Sequence, residues 1–317
     1  MNPKETTPVA AQYDLVIIGS GPAGFTAAIY GARGGLKTAL FGGIAPGGQL
    51  LQTMDIENFP GFSEPVVGAD LMQAMLKQSA RLGAEIFTDE ITAADFTRRP
   101  LAVTASDGRT FTASSVIVAT GARASWLGLP SETKYTGKGV SGCATCDGPF
   151  YRGKDVCVIG GGDTAAEDAL FLTKFAASVR LIHRRDALRA SFRMQEKLKA
   201  NPKIEIIYDT VLEEVLGEAK VTAIKLKNVK TGAYAVIPLN GVFIAIGHEP
   251  ATAIFKSSLK LNDEGYIITD CRGETSVKGV FAAGDVMDPS YKQAIIAAGA
   301  GCRAAMEAGR YLEELKK

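Results

Sequence analysis

The sequence predicts an α/β protein in which one strand, glycine turn, helix and strand unit is written twice, and three observations support this. Apolar runs of strand length alternate with runs of small residues at helical spacing. The unit "YDLVIIGSGPAGFTAAIYGARGGLKTALFGG" returns in the same order as "KDVCVIGGGDTAAEDALFLTKFAASVRLIHRRD". With 317 residues, 46% of them hydrophobic, the chain is long and apolar enough to bury two cores.

In the first unit, residues 14–18 read as an apolar strand, the small residues after Pro22 as a helix, and a second strand is expected to end near Phe41. Between them, Gly19, Gly21 and Gly24 have the GxGxxG spacing of a Rossmann-like dinucleotide site. The first glycine allows the turn, the second lets backbone amides approach a pyrophosphate, and the third lets helix and strand pack closely. The helix N-terminus adds partial positive charge for the phosphates. The fingerprint expects an acidic residue about 20 positions on to hold a ribose. Here the second strand ends in "LFGGIAPGG", so that contact has to come from elsewhere. Asp285, at the end of the strand-like "GVFAAGD", is a candidate carboxylate for it; the alternative is an Asp that caps the next segment.

In the second unit, Gly160, Gly162 and Ala165 give the GxGxxA form, with Asp163 and Thr164 opening the helix. The partner strand "SVRLI" runs into His183, Arg184 and Arg185, with Arg189 shortly after, where an NAD site would carry its acid. A guanidinium is always charged and binds phosphate in a bidentate fork, so this cluster predicts NADPH rather than NADH. The alternative is a solvated basic helix start.

Further strand-like runs follow both units, "NVKTGA" has the Thr-Gly step of a hairpin turn, and residues 291–315 read as a closing helix. The polar, proline-bearing "MNPKETTPVAAQY" reads as a flexible arm without the apolar core of an export signal. With 35 basic and 34 acidic residues, one Trp and no polybasic run, neither a nucleic-acid surface nor a membrane anchor is expected. No apolar run approaches the ~20 residues of a membrane span.

Two of the five cysteines, Cys143 and Cys146, form a Cys-x-x-Cys pair just ahead of the second glycine loop. A zinc site would need two more ligands, but Cys157, Cys271 and Cys302 stand alone and the histidines are His183 and His248. The three lone cysteines are expected to be small buried hydrophobes. An odd, scattered set of cysteines suits a reducing, cytoplasmic compartment, where a close pair is either a redox dithiol or two core cysteines. Asp147, next in sequence, is a candidate proton donor to a leaving thiolate or a turn-forming Asp-Gly. A disulfide accepts hydride poorly, whereas a flavin accepts hydride and then reduces a disulfide. Two dinucleotide folds and one dithiol therefore suggest FAD in the first, NADPH in the second, and a relay ending at the sulfurs.

Taken together, "IGSGPAGFTAAIY", "APGGQL", "IENFPGF", "CATCDG", "GGGDTAAEDALFL", "HRRDALRAS", "AIGHEPAT" and "GVFAAGDVMDPSYKQAIIAAGAGC" resemble the low-molecular-weight, bacterial and plant type of NADPH-dependent thioredoxin reductase over nearly the whole chain. The resemblance implies two Rossmann-like FAD/NAD(P)-binding domains, the second inserted into the first: residues 1–120 and 249–317 for FAD, 121–248 for NADPH. It implies a homodimer with thioredoxin as partner. Gly19, Gly21, Gly24, Gln49, Asn58, Asp285, Gln293 and Ala294 would contact FAD, and Gly162, Asp163, Thr164, His183, Arg184, Arg185 and Arg189 would hold NADPH. Cys146 would face the flavin and Cys143 attack thioredoxin. Lys292, Leu188 and Pro149 depart from the usual motifs without removing a chemical role. The dithiol and the NADPH site fall in one inserted domain, so that domain is expected to rotate between half-reactions, with hinges near residues 120–122 and 247–248. A reductase of another disulfide carrier, or a flavoprotein redox sensor, are the competing readings.

Overall fold

The computed structural model describes residues 9–53 and 55–317. The expected N-terminal arm lies outside the described residues as far as residue 8, but from Val9 it is corrected, because Val9–Ile18 is one strand. Its first half pairs in parallel with Thr110–Val118, and Tyr13 is buried with its hydroxyl donating to Glu85 at 2.7 Å. The partner strand is distant in sequence, so the polar local pattern hides this extension.

The described chain forms two compact units, one running up to Arg123 and resuming as Glu249–Lys317, the other Ala124–His248. In the first unit the parallel strands run in the order Glu85–Phe87, Thr38–Phe41, Val9–Ile18 and Thr110–Val118, and Val280–Ala282 lies parallel to the last of these. Leu101–Ala105 and Ile91–Asp95 extend the sheet antiparallel. Strand alternation sends Leu15, Ile17 and Ile117 into one buried layer and Val16, Ile18, Val116 and Val118 into the other, which is why these strands read as continuous apolar runs.

Helices Pro22–Arg33, Gly68–Arg81 and Ala294–Glu314 supply the first layer, with Phe25, Ala28, Met72, Ala304 and Ala308 in its core. The closing helix starts at Ala294 rather than near Tyr291, because Lys292 adopts a φ of 46° and Gln293 is extended. Small residues let this helix touch the first one: a Cβ on Gly301 would lie 2.0 Å from the Ala23 carbonyl oxygen.

In the second unit a parallel sheet runs in the order Val140–Ser141, Gly241–Ala245, Asp155–Gly160, Ser178–Ile182, Ile204–Ile207. Helices Asp163–Leu172 and Phe192–Ala200 belong to the core on one face, with Val158, Leu181 and Phe243. The other face, with Ile159, Ile182 and Ile244, packs on the antiparallel strands Thr210–Gly217, Val221–Asn228 and Tyr234–Pro238. The "NVKTGA" step is the hairpin between the last two, with Gly232 at φ 72° and the Asn228 side chain accepting from the amides of Lys230 and Thr231 at 3.0 and 2.9 Å.

Cys157 sits in this second face, wholly buried, and burial pushes its thiol far up. The expectation of burial is corrected for Cys271, which is exposed, and for Cys302, which is partly so. Among the described residues, no helix is long and apolar enough to cross a membrane.

Candidate active site

The first glycine loop is built by close backbone approaches. Gly19, at φ 113°, ends the strand where a Cβ would stand 2.2 Å from the Ala119 carbonyl oxygen, and a Cβ on Gly24 would stand 1.9 Å from that of Gly19. At Gly21 the same position meets nothing within 4 Å. Helix Pro22–Arg33 begins there with no side-chain cap, leaving its first amides available to an anion.

The glycine-rich segment that replaces the expected acid folds back over this loop. Ser20 staples it, its hydroxyl donating to Gly42 O at 2.8 Å and accepting from Gly47 N at 3.0 Å. This brings Gly48 beside Gly21, and Gln49 donates to the Ala122 carbonyl. From the C-terminal part of the chain, Gly284 abuts Ala23 and Ala297, which carries Asp285 to the loop. Asn58 Nδ2 donates to the side-chain Oε1 of Gln293 at 3.2 Å, next to Ala294 at the start of the closing helix.

Burial raises the Asp285 carboxyl to about 6, with Lys292 opposing and Asp288 reinforcing the shift. An open backbone position, an uncapped helix start and a carboxylate short of partners together fit the pyrophosphate and hydroxyls of FAD.

The second loop repeats the logic. A Cβ on Gly160 would stand 2.3 Å from the Ala245 carbonyl oxygen and 2.6 Å from Ala165 Cβ, whereas Gly162 is open and heads helix Asp163–Leu172 without a side-chain cap. The segment after the basic cluster is tied to the loop. Arg189 N and Ala190 N donate to Gly161 O at 2.7 and 3.0 Å, and Ser191 N donates to Asp163 Oδ1 at 2.8 Å.

Arg184, Arg185 and Arg189 are exposed beside this loop, as is Thr164 at its helix start. The neighbouring acids Asp186 and Asp209 are held by Lys230 at 3.4 and 3.0 Å. His183 takes a different position from the arginines. It is 6% exposed, its ring lies against Gly161, and Nδ1 is 3.0 Å from Gly160 O, while Nε2 has no partner among the described residues. The imidazole thus supports the glycine turn from below. An uncapped helix start with three exposed guanidinium groups fits a nucleotide that carries an additional phosphate.

The dithiol hangs from the edge of the same unit's sheet. Val140–Ser141 pairs with Gly241–Ala245, and the chain then turns so that Cys143 becomes the N-cap of the short helix Ala144–Asp147. Cys143 and Cys146 are joined in a disulfide with S–S 2.18 Å and Cα–Cα 5.4 Å, and Cys143 Sγ accepts from Cys146 N at 3.2 Å. That amide favours negative charge on the Cys143 sulfur.

Asp147 lies at the helix end, its carboxyl raised by burial and drawn back down by a hydrogen bond from Ser141. A carboxyl whose burial favours its protonated form, next in sequence to Cys146, is suited to donate a proton to a departing thiolate. Ser141 and Ser20 carry no signal in the local sequence, since a serine in a loop has many ordinary uses.

Residues 13–301 match the family described as pyridine nucleotide-disulphide oxidoreductase. The thioredoxin reductase of Streptomyces coelicolor is 49% identical over 304 residues, covering 95% of this chain and 94% of the relative. The chain belongs to the thioredoxin reductase family. Among solved structures, the thioredoxin reductase from Giardia duodenalis superposes with a TM-score of 0.92 at 42% identity, covering 96% of this chain and 99% of that one. The family member from Streptococcus pyogenes gives 0.91 at 41% identity over the same shares. Family membership makes this a flavin-dependent oxidoreductase that uses FAD and NADPH.

Proposed function

We propose that the chain uses NADPH to reduce the disulfide of thioredoxin. The observation that carries this reading is the Cys143–Cys146 disulfide, capping a short helix in the same unit as the second glycine loop. Residues 1–120 and 249–317 form the FAD domain, through Gly19, Gly21, Gly24, Gln49, Asn58, Asp285, Gln293 and Ala294. Residues 121–248 form the NADPH domain, through Gly162, Asp163, Thr164, Arg184, Arg185 and Arg189, with His183 supporting the loop. FAD, when bound, supplies the chemistry a disulfide lacks, accepting hydride from NADPH and returning the electron pair to sulfur.

Cys146 would be the sulfur that receives the electron pair supplied through FAD, and the S–S bonding pair would pass to Cys143. Cys143 leaves as a thiolate and receives a proton from Asp147. Cys143 then gives up that proton and attacks the thioredoxin disulfide as a thiolate, and Cys146 displaces reduced thioredoxin from the mixed disulfide, restoring the Cys143–Cys146 bond. The net reaction converts NADPH, a proton and a disulfide into NADP⁺ and a dithiol.

Dithiol and nucleotide serve one flavin in turn, so the inserted domain rotates between half-reactions. Glycines at both chain crossings support a hinge: Gly121 has a φ of 71° and Gly247 one of 123°. The enzyme acts as a cytoplasmic homodimer.

Anaerobic stopped-flow mixing with NADPH or NADH, followed by oxidised thioredoxin, tests the relay. Rapid flavin bleaching with NADPH alone is expected, with thioredoxin-dependent reoxidation abolished in Cys143→Ser. Bleaching without thioredoxin-dependent reoxidation in the parent enzyme would assign the dithiol to another disulfide carrier.

A further inference from the structure

The hydroxyl of Ser141 is bonded to the backbone of Cys143, the first cysteine of the pair, four residues ahead of Asp147. Ser141 is 6% exposed and fixed by the sheet, where it pairs opposite Phe243. Its Oγ accepts from Cys143 N at 3.0 Å and lies 3.3 Å from Cys143 O. That carbonyl already accepts from Asp147 N at 3.1 Å, so the serine hydroxyl and the backbone amide of Asp147 meet on one oxygen. Once the Cys143 amide occupies a lone pair, the hydroxyl has a single hydrogen to give. Its two acceptors are the Cys143 carbonyl, at the long end of the range, and the Asp147 carboxylate.

We propose that Ser141 is a positioning residue for the proton donor, its one hydrogen turning to the Asp147 carboxylate when Asp147 gives its proton to the Cys143 thiolate and back to the Cys143 carbonyl when Asp147 is reprotonated. The step balances: the S–S bond breaks with the flavin's electron pair, Cys143 sulfur gains the proton that Asp147 loses, and solvent later reprotonates Asp147. A charge-assisted hydrogen bond appears only after proton transfer, so it favours the transfer. The proposal rests on the reading of Asp147 as the acid.

The other groups near Asp147 do not take this role. Tyr151 in the following turn is itself pushed up to about 12, first by burial and then by Asp147. Helix Asp163–Leu172 packs against the dithiol helix and carries Asp163, Glu167 and Asp168, yet the displacement of Asp147 comes from burial and Ser141 alone. The two cysteines are bonded to each other.

The test is the pH profile of thioredoxin reduction by the holoenzyme, its alkaline limb reporting the acid that must stay protonated. Losing the hydroxyl leaves burial unopposed, so in Ser141→Ala and in Ser141→Val that limb should move up by about one pH unit, while Ser141→Thr restores it. The valine and threonine pair has one shape with and without the hydroxyl, and NADPH bleaching of the flavin reports that each variant is folded. Asp147→Asn should remove the limb, and Ser141→Val should then change nothing further. An unmoved limb in both Ser141→Ala and Ser141→Val, with Asp147→Asn still removing it, would overturn the role of Ser141 and leave Asp147 as the acid. A limb that survives Asp147→Asn would overturn both.

Discussion

Replacing Asp285 by Asn should stabilise the flavin-free protein at neutral pH and weaken its hold on FAD. Burial raises this carboxyl from 3.8 to about 6, Lys292 pulling it down and Asp288 adding to the rise. A displacement of about two pH units corresponds to roughly 3 kcal/mol; the side chain retains partial contact with water, so about 1–3 kcal/mol is the expected range. The folded value lies above the unfolded one. The stabilising contribution is therefore complete below the unfolded value and is lost as pH rises through about 6.

Flavin-free Asp285→Asn protein should accordingly match the parent near pH 4 and exceed it by about 1–3 kcal/mol near pH 7.5, as read by urea unfolding of both proteins. The order reverses with cofactor. A carboxylate that accepts a hydroxyl hydrogen from FAD is drawn back toward its ordinary value, so FAD affinity of the parent should rise with pH through about 6. The variant should lack that rise. An asparagine protein that is less stable than the parent by the same amount at both pH values would refute the reasoning.

Two further substitutions test other parts of the molecule. Arg184→Ala combined with Arg185→Ala should raise KM for NADPH on the order of tenfold to a hundredfold and leave KM for NADH nearly unchanged, because only the extra phosphate loses its partners. A retained preference for NADPH in steady-state kinetics would rule these arginines out. Gly301→Ala should force apart the first and last helices of the FAD unit, since its Cβ would sit 2.0 Å from the Ala23 carbonyl oxygen. A loss of about 1–3 kcal/mol, seen as a Tm lower by roughly 2–8 °C, is expected in thermal unfolding, and an unchanged Tm would show that the helices yield without strain.

What was legible in the sequence is what short-range chemistry dictates. The α/β class and its doubled glycine loops follow from local demands: a turn that only glycine can make, a helix start beside it, and apolar strands before and after. The redox reading of the cysteine pair was equally local, since Cys143 and Cys146 are one helical turn apart and bond to each other. The position of the basic cluster is local too, because Arg184 and Arg185 follow His183 at the end of the strand Ser178–Ile182.

The tertiary structure decided what depends on partners far away in the chain. Val9 to Gln12 form strand only because Thr110–Val118 offers them hydrogen bonds, and Asp285 reaches the first loop only because Gly284 packs on Ala23. His183 looks like one more cation beside two arginines, yet its ring fills the space under Gly161. Ser141 gains its significance from a turn that returns the chain to its own hydroxyl, and Cys271 is exposed where its type suggested burial. Burial and hydrogen-bond partnership are sums over neighbours from the whole chain, whereas a glycine turn or a cysteine spacing is settled within a few residues.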